Sequence, residues 1–409
     1  MERFEPDLER ALDLAMELMA VPGASCAEAA IADRVREKLL AAGVPAAAIS
    51  FDDANRRSPA GGEVGNLIVK LPGTLRGPRR GPRRMLMAHL DTVPLCVGCV
   101  PEIRGKYVES ANPDTGLGAD NRSGVAAVLT AVREVFERGL PHPPLTLLFT
   151  VQEELGLFGS RFVRASKLGR PAMAWNWDGR GPHRITLAAT GGETIDIRVH
   201  GIASHAGGAP ERGVSAVAIA ARAIDELVRA GWHGDIQRGR RHGTCNLGAI
   251  HGGDATNVVT DLVTIQGECR SYDRRLRERI VREIGRAFRR ASKSIRNDKG
   301  QHGRAEVVAE TEYESFRLAD DEPCIDVAEA AIRSLGMEPE RLTTNSALDA
   351  NWINFHGIPT ATLGAGQVLG HTKEECLDIG QFHDGCRVAL RLATGIGADG
   401  AYLPEKRNT

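Results

Sequence analysis

The chain lacks the features that mark a binder of nucleic acid or membranes. Its 409 residues carry a formal net charge of -1, so no broad field of one sign attracts a polyanion or a charged lipid surface. No apolar run approaches the roughly 20 residues that span a bilayer. The opening MERFEPDLER is charged and acidic, unlike the start of a secretory signal. We therefore predict a cytoplasmic protein without nucleic-acid or membrane partners.

Cysteine is also too sparse for a disulfide framework. Eight cysteines are scattered along the chain, and Cys96 and Cys99 have CxxC spacing without a second pair to complete a zinc site. We interpret this pair as two reduced thiols in a loop. Solenoid-length repeats are absent as well. The length favours two domains, because single cores rarely grow beyond about 250–300 residues.

Three short stretches concentrate acidic and histidine residues instead. MLMAHLDTVP (85–94), GLGADNRSG (116–124) and LLFTVQEELGLFGS (147–160) supply His89, Asp91, Asp120, Glu153 and Glu154. Imidazole nitrogens and carboxylate oxygens are the usual ligands of hydrolytic metal centres, and a shared carboxylate holds two metals about 3.5–4 Å apart. One more carboxylate can deprotonate the attacking water. The stretches therefore indicate a two-metal hydrolytic site.

Two further candidates complete such a site. Asp178 in AMAWNWDG and His371 in LGHTKEE both follow short apolar runs that are typical of buried strands. Apolar runs near residues 85, 145, 172 and 360 therefore end in potential ligands. Because the carboxyl ends of parallel strands form one crevice in an open α/β sheet, we expect these ligands to converge there.

Each candidate has an ordinary structural alternative when it is taken alone. His89 fits a core or surface histidine at a strand end, and Asp120 fits the N-cap of a helix that begins near Ser123. The glutamate pair fits a helix start, where the helix dipole favours acidic side chains. Asp178 fits a turn and His371 an ordinary loop residue. Their joint occurrence in one chain favours the metal centre.

A different pattern begins after Gly191 and Gly192. ETIDIRV (193–199) alternates apolar and polar residues like a half-buried strand, and LVTIQGECR and AEVVAETEY also read as strands. Two helices lie among them. The first is predicted to carry an apolar stripe of Val214, Val217, Ala221, Ile224 and Val228, and the second a stripe of Leu276, Ile280, Ile284 and Phe288. The order βαββαβ predicts a ferredoxin-like domain.

Over nearly the whole chain these motifs resemble the M20 metallopeptidases, most closely their peptidase T-like, tripeptide aminopeptidase-like branch. The resemblance implies an α/β fold: a di-metal exopeptidase-like catalytic domain with a mainly parallel sheet flanked by helices. An inserted ferredoxin-like α+β lid domain would interrupt it. The expected boundaries are 1–191 and 315–409 for the catalytic domain and 192–314 for the lid.

The resemblance also implies a role for each candidate in the metal centre. His89 and Asp178 would bind one metal, Glu154 and His371 would bind the other, and Asp120 would bridge them. The two remaining roles fall to Asp91, which would orient His89, and to Glu153, which would be the general base. The expected cofactors are two divalent ions, with zinc first and cobalt or manganese as alternatives.

Three lid motifs resemble the family's substrate-handling stretches. GIASHAGGAPERGVSA makes His205 the counterpart of the histidine that stabilises the tetrahedral oxyanion. GGDATNVV and GECRSYD supply Asn257 and Arg270 for substrate binding, and a planar guanidinium suits a peptide carboxylate. A surface histidine, a turn asparagine and a surface arginine are the alternatives. Lids of this family often form homodimers, sometimes delivering the histidine to the partner's site, and we leave both arrangements open here.

One departure bears on substrate choice. Family members usually carry a glycine pair in a GG(S/L)DAN motif, whereas this chain has Ser346 and Ala347, whose Cβ atoms could narrow the pocket. Removal of the N-terminal residue of tripeptides is the expected reaction. Dipeptidase, carboxypeptidase and N-acyl amino acid deacylase activities are alternatives on the same scaffold, and a non-catalytic peptide-binding relative is an alternative of another class. An Asp at position 178 resembles the aminopeptidase and dipeptidase branches, since Glu is commoner there among deacylases and carboxypeptidases.

Overall fold

The computed structural model describes residues 4–76, 80–397 and 400–403. Helices and strands follow one another along these ranges. The helices are α1 (Leu8–Ala20), α2 (Ala29–Ala41), α3 (Ala54–Arg57), α4 (Ala119–Glu137), α5 (Phe158–Phe162), α6 (Ala216–Arg229), α7 (Arg274–Ser294), α8 (Pro323–Arg333), α9 (Asp349–Phe355) and α10 (Ile379–Thr394). The strands are β1 (Ile49–Phe51), β2 (Leu67–Leu71), β3 (Arg84–His89), β4 (Pro101–Arg104), β5 (Tyr107–Ser110), β6 (Leu145–Thr150), β7 (Met173–Trp177), β8 (Arg184–Ala189), β9 (Gly191–His200), β10 (Gly234–Arg238), β11 (Arg241–Gly252), β12 (Leu262–Ser271), β13 (Arg304–Tyr313), β14 (Phe316–Arg317), β15 (Glu340–Thr344), β16 (Thr360–Leu363), β17 (Gln367–Val368) and β18 (Cys376–Asp378).

The chain divides into two compact units. The first comprises Met1–Ala188, Arg317–Thr344 and Leu348–Thr409, and the second comprises Ala189–Phe316 together with Asn345–Ala347. The three residues Asn345–Ala347 therefore belong to the second unit, although the residues on both sides of them belong to the first.

A nine-stranded sheet forms the centre of the first unit. Its order is β1-β2-β6-β3-β7-β16-β8-β14, with β15 paired to β8. The four central strands β6, β3, β7 and β16 are parallel, whereas β2 and β8 join them antiparallel. Every residue of β3, β6 and β7 is buried, as parallel strands covered on both faces require. The predicted α/β fold class is confirmed, with a parallel centre and antiparallel edges.

The second unit is a five-stranded antiparallel sheet with order β10-β11-β12-β9-β13 and two helices, α6 and α7. Without β10, this order is that of a ferredoxin-like fold, so the predicted lid fold is confirmed with one additional edge strand. The predicted stripe of α7 is also confirmed, because Leu276, Ile280, Ile284 and Phe288 are all buried.

The predicted stripe of α6 is wrong. Val217 and Val228 are 49% and 53% exposed, while the buried stripe runs through Ile219, Ala220, Ala223 and Leu227. The segment AVAIAARAIDELV carries apolar residues at both spacings. The prediction started from Val214, which lies before the helix and pairs with Ile202 in an isolated bridge.

All eight cysteines are free. Cys96 ends a short 3-10 turn, and both it and Cys99 are buried. The thiol of Cys99 donates to the Met19 carbonyl over 3.0 Å. Within the described ranges, no helix combines the length and the apolar character needed to cross a membrane.

Candidate metal centre

The carboxyl ends of the central strands bring the predicted metal ligands together. His89 is the last residue of β3, and Asp178 directly follows β7. Glu153 and Glu154 follow β6 after a two-residue connection. Because β3 lies between β6 and β7 and runs parallel to both, these ends share one edge of the sheet. Asp120 reaches the same edge from the first turn of α4.

His89 lies at the centre of this cluster with a side chain that is 1% exposed. Its Nε2 atom is 3.2 Å from Asp120 Oδ1 and 3.8 Å from Asp178 Oδ1. Two triads, His89 with Asp120 and Glu154, and His89 with Glu153 and Asp178, place their ligand atoms within 4.8 Å of one another. One imidazole and two carboxylates at this spacing are a ligand set for a divalent metal ion.

His371 joins the cluster from the loop between β17 and β18. Its Nε2 atom lies 2.9 Å from Glu154 Oε2 and 3.7 Å from Asp120 Oδ2. The hydrogen bond to Glu154 raises the pKa of His371 to about 9, which burial opposes and the charges of Glu154 and Asp120 support. The five residues that the sequence singled out as metal ligands therefore lie together.

Asp91 connects the histidine strand to the glutamate loop. The backbone carbonyl of Asp91 lies 3.1 Å from His89 Nδ1, so in the neutral ring Nδ1 carries the proton and Nε2 presents a lone pair. The side chain of Asp91 accepts hydrogen bonds from the backbone N–H groups of Glu153 and Glu154 over 3.0 and 3.1 Å. Asp91 thus fixes both His89 and the backbone of the glutamate pair.

The cluster holds more negative charge than its histidines balance. Desolvation raises the pKa of Glu153 well above its usual value, and the carboxylates of Asp178, Asp349 and Glu154 raise it further, while His89 opposes them. Desolvation also raises the pKa of Asp349 to about 6. Proximity of so many carboxylates is unfavourable without cations to neutralise them.

The residues present fit divalent metal ions. The Nε2 atom of His89 faces the carboxylates of Asp120 and Asp178. Once the ring gives up its Nε2 proton, all three groups are acceptors that a cation between them satisfies. Asp349 is fully buried and, among the described residues, its Oδ1 atom has no hydrogen-bond partner, while its Oδ2 atom accepts from Thr150. Mixed nitrogen and oxygen ligands suit zinc, cobalt and manganese alike.

Two buried carboxylates that support the site were not singled out from the sequence. Glu375 is 1% exposed and accepts from the backbone N–H groups of Gly118 and Asp120 over 2.7 and 2.9 Å. It therefore fixes the start of α4, where Asp120 lies. Asp349 lies in the stretch LDAN directly after Ala347, and the sequence alone predicts no role for it. Neither KEEC nor LDAN shows a periodicity that predicts burial of its acidic residue. For Glu375, the available sequence signal is its position four residues after the predicted ligand His371.

In the second unit, the predicted residues His205 and Asn257 lie on neighbouring loops. Ala206 N–H donates to the Asn257 carbonyl over 2.9 Å. The Nδ1 atom of exposed His205 accepts from the N–H groups of Gly207 and Gly208 over 3.1 and 3.0 Å. The proton of the neutral ring is therefore on Nε2, which leaves an outward N–H donor.

Arg270 lies elsewhere in the second unit, near the end of β12. Its guanidinium forms a two-pronged pair with Glu268, Nε to Oε1 over 3.0 Å and Nη2 to Oε2 over 2.8 Å. The Nη1 atom is 3.3 Å from the Asn345 carbonyl, which also accepts from Thr190 Oγ1 over 3.0 Å. The arginine borders a cavity of about 230 Å³ that His242 and Thr244 also line. The structure thus brings His205 and Asn257 together and places Arg270 apart from them.

The α/β fold and the histidine–carboxylate cluster define a metal-dependent hydrolase. Residues 85–395 match the sequence profile of Peptidase family M20/M25/M40, and the chain belongs to this family. The expected M20 membership is therefore confirmed.

Relatives and solved structures agree with this membership. The chain is 32% identical over 372 residues to the uncharacterized protein YqjE of Bacillus subtilis (strain 168), covering 91% of this chain and 94% of that protein. It is similar to the crystal structure of aminopeptidase PepT from Bacillus cereus ATCC 10987, with a TM-score of 0.84, 30% identity and coverage of 95% and 98% of the two chains. A tripeptidase from Staphylococcus aureus subsp. aureus mu50 gives a TM-score of 0.85, 27% identity and the same coverage, 95% and 98%. The expected peptidase T-like branch is confirmed.

Proposed function

We propose that this chain is a dinuclear metal aminopeptidase that removes the N-terminal residue of tripeptides. The observation that carries the proposal is the convergence of two histidines and three carboxylates at one edge of the central sheet, namely His89, Asp120, Glu154, Asp178 and His371. Its similarity to an aminopeptidase and a tripeptidase, each covered almost end to end, supports the substrate class. Eight free cysteines, two of them in the CxxC pair, support a reducing compartment such as the cytoplasm.

The ligand assignment follows the roles that the family resemblance implies, and the distances within the cluster support it. His89 and Asp178 would hold one ion, Glu154 and His371 would hold the other, and Asp120, whose Oδ1 faces His89 and whose Oδ2 faces His371, would be shared by both. Zinc is the first choice, with cobalt or manganese as alternatives. When bound, the two ions supply Lewis acidity and lower the pKa of water toward about 7.

The proton transfers belong to Glu153, which Asp91 fixes through its backbone N–H. As general base, Glu153 takes a proton from the attacking water and then returns it to the leaving amine. The Nε2–H group of His205, whose tautomer two backbone amides set, donates to the oxyanion of the tetrahedral intermediate. Arg270, held by Glu268, binds the peptide carboxylate. Asn257, whose carbonyl accepts from Ala206 N–H, assists in substrate binding beside His205.

We further propose that the lid forms a homodimer and that His205 acts in the partner's active site. His205 lies beside the loop that precedes Leu262, since it pairs with Val258 in an isolated bridge and Val259 N–H donates to the Ser204 carbonyl over 2.9 Å. Arg270 lies eight residues farther along β12, which is about 26 Å at the usual strand rise. An extended tripeptide spans about 10 Å. One tripeptide bound to Arg270 therefore does not reach His205 of the same chain.

Mixing two inactive variants tests this arrangement. His205→Ala and Glu153→Gln chains, unfolded together or co-expressed so that mixed dimers form, are expected to regain activity, because the intact centre of the first receives His205 from the second. Peptidase turnover of the mixture is compared with that of each variant alone. Absence of recovery in mixed dimers of confirmed composition would place His205 in its own subunit's site.

Metal uptake is expected to release protons and to strengthen as pH rises toward about 9. The pKa of His371 in the metal-free protein is raised from 6.5 to about 9 by Glu154, so at pH 7 this ring is protonated and must lose its proton to bind a metal. Calorimetric titration of zinc into the metal-free protein, in buffers of different ionisation enthalpy, measures the released protons. A proton release near zero at pH 7 would contradict this assignment of His371.

The proposed reaction is tested by mass spectrometry of products. The zinc-loaded protein is incubated with di-, tri- and tetrapeptides, N-acetylated and C-amidated tripeptides, and N-acyl amino acids. We expect loss of the N-terminal residue from tripeptides, prevented by N-acetylation and weakened by amidation. Cleavage at the C-terminus or of acyl groups would refute the aminopeptidase assignment while keeping the metal chemistry. No cleavage of any of them, with two metals bound, would favour a binding protein.

A further inference from the structure

The segment Ser25–Glu28 contacts the catalytic loop although it lies before residue 85, where the family match begins. We propose that Ser25 and Glu28 are positioning residues for Glu153, holding the backbone of residues 152–154. This proposal rests on the proposed function, in which Glu153 is the general base. Both contacts converge on the loop that follows β6.

Ser25 acts through Asp91. Its hydroxyl donates to Asp91 Oδ2 over 2.6 Å, and the same oxygen accepts from Glu154 N–H while Oδ1 accepts from Glu153 N–H. Asp91 is fully buried. The Ser25 hydroxyl is therefore a third donor that fixes the rotation of this carboxylate. Fixing that rotation places the two oxygens against the two amides of the glutamate pair.

Glu28 acts one residue earlier in the same loop. Its Oε1 atom accepts from Cys26 N–H over 2.9 Å and from Gln152 N–H over 3.0 Å. Both donors have left-handed backbones, with φ of 72° at Cys26 and 55° at Gln152. Side-chain-bearing residues adopt this region uncommonly, and it persists where the surroundings hold it. One buried carboxylate oxygen therefore holds two unfavourable backbone conformations, one in each segment.

The side chain of Gln152 is fixed as well, since it accepts from Ser58 Oγ over 2.6 Å and donates to the Gly61 carbonyl. Hydrogen bonds therefore fix the backbone N–H groups of residues 152–154 and the side chain of Gln152. A catalytic group needs such surrounding contacts to keep its position. A small displacement of Glu153 would lengthen the proton transfer without removing any substrate contact. The expected consequence is a loss in kcat with little change in KM.

Four variants measure this role in the metal-loaded enzyme. Ser25→Ala and Glu28→Ala are each expected to lower kcat by about 10–100-fold, with KM and metal content close to wild type. Ser25→Thr keeps the hydroxyl and Glu28→Gln keeps the acceptor oxygen, so both are expected to retain most of the activity. Glu134→Gln is the matched control. Glu134 is also a buried carboxylate that accepts a backbone N–H, from Asp7, but it lies near the far end of α4.

Hydrogen exchange gives a readout that does not depend on activity. In metal-free and metal-loaded Ser25→Ala, the amides of residues 151–157 are expected to exchange faster than in wild type, while β2 is unchanged. Unchanged exchange of this segment would overturn the proposal. It would also be overturned by a kcat loss no larger than that of the control, or by one explained by lost metal. If the wild type cleaves no peptide, the proposed function fails, and exchange still decides the positioning role.

Discussion

Glu153→Gln is expected to lower kcat by about 10²–10⁴-fold, the usual contribution of a positioned general base. The amide keeps the size of the side chain and leaves the backbone N–H bond to Asp91 in place, but it cannot accept a proton. KM is expected to stay near wild type because Glu153 has no proposed contact with the substrate ends. Steady-state turnover of a tripeptide and metal analysis of the same preparation measure both quantities.

The matched control for this prediction is Glu109→Gln, a substitution of a glutamate on β5, with an expected kcat near wild type. Retained turnover in Glu153→Gln with two metals bound would remove Glu153 from the mechanism. Loss of metal in this variant would instead make Glu153 a ligand. The triad of His89, Glu153 and Asp178 makes that outcome measurable.

Asp120→Asn is expected to reduce metal content from two ions to at most one and to lower activity by about 10³-fold or more. One oxygen of Asp120 faces His89 at 3.2 Å and the other faces His371 at 3.7 Å. An amide retains the volume but loses the charge and one of the two oxygen ligands. Several kcal/mol of transition-state stabilisation depend on the metals, and each 1.4 kcal/mol is tenfold in rate.

Asp114→Asn provides the comparison for Asp120→Asn. Asp114 lies in the same connection before α4, but its side chain is exposed and pairs with Lys373 over 3.3 Å. An exposed pair of this kind contributes little to stability, so full metal content and activity are expected. Two metals and normal turnover in Asp120→Asn would show that Asp120 does not bridge the ions. Elemental analysis and tripeptide hydrolysis, performed on both variants, decide this.

Local sequence signals predict how part of the metal cluster is assembled. The apolar runs before His89 and Asp178 became buried strands β3 and β7, and parallel pairing brought their ends to one edge. In a parallel sheet, a short continuous apolar run predicts a strand that is buried on both faces. Asp120 joins the cluster from the first turn of α4, and Glu154 and His371 join it from loops, at positions that no periodicity specifies. For those residues the resemblance to a family supplied what spacing alone could not.

The sequence does not predict which face of a helix is buried when two sets of its residues are equally periodic and equally apolar. In α6, valines at one spacing and the stripe of Ile219, Ala223 and Leu227 at another are both apolar, and packing against the sheet selects the second. The sequence also does not predict which carboxylates are buried. Glu28 and Glu375 look like ordinary surface glutamates in sequence, yet both are almost completely buried and hold backbone N–H groups of other segments.

The position of Asn345–Ala347 has a consequence for exchanging parts between relatives. Because these residues group with the second unit, the inserted unit is not a single continuous cassette. Their carbonyl at Asn345 accepts from Thr190 and Arg270. A chimera that receives only residues 189–316 from another member of the family would place that protein's arginine against residues 345–347 of this chain. Grafts intended to change substrate preference therefore need to carry residues 345–347 with them.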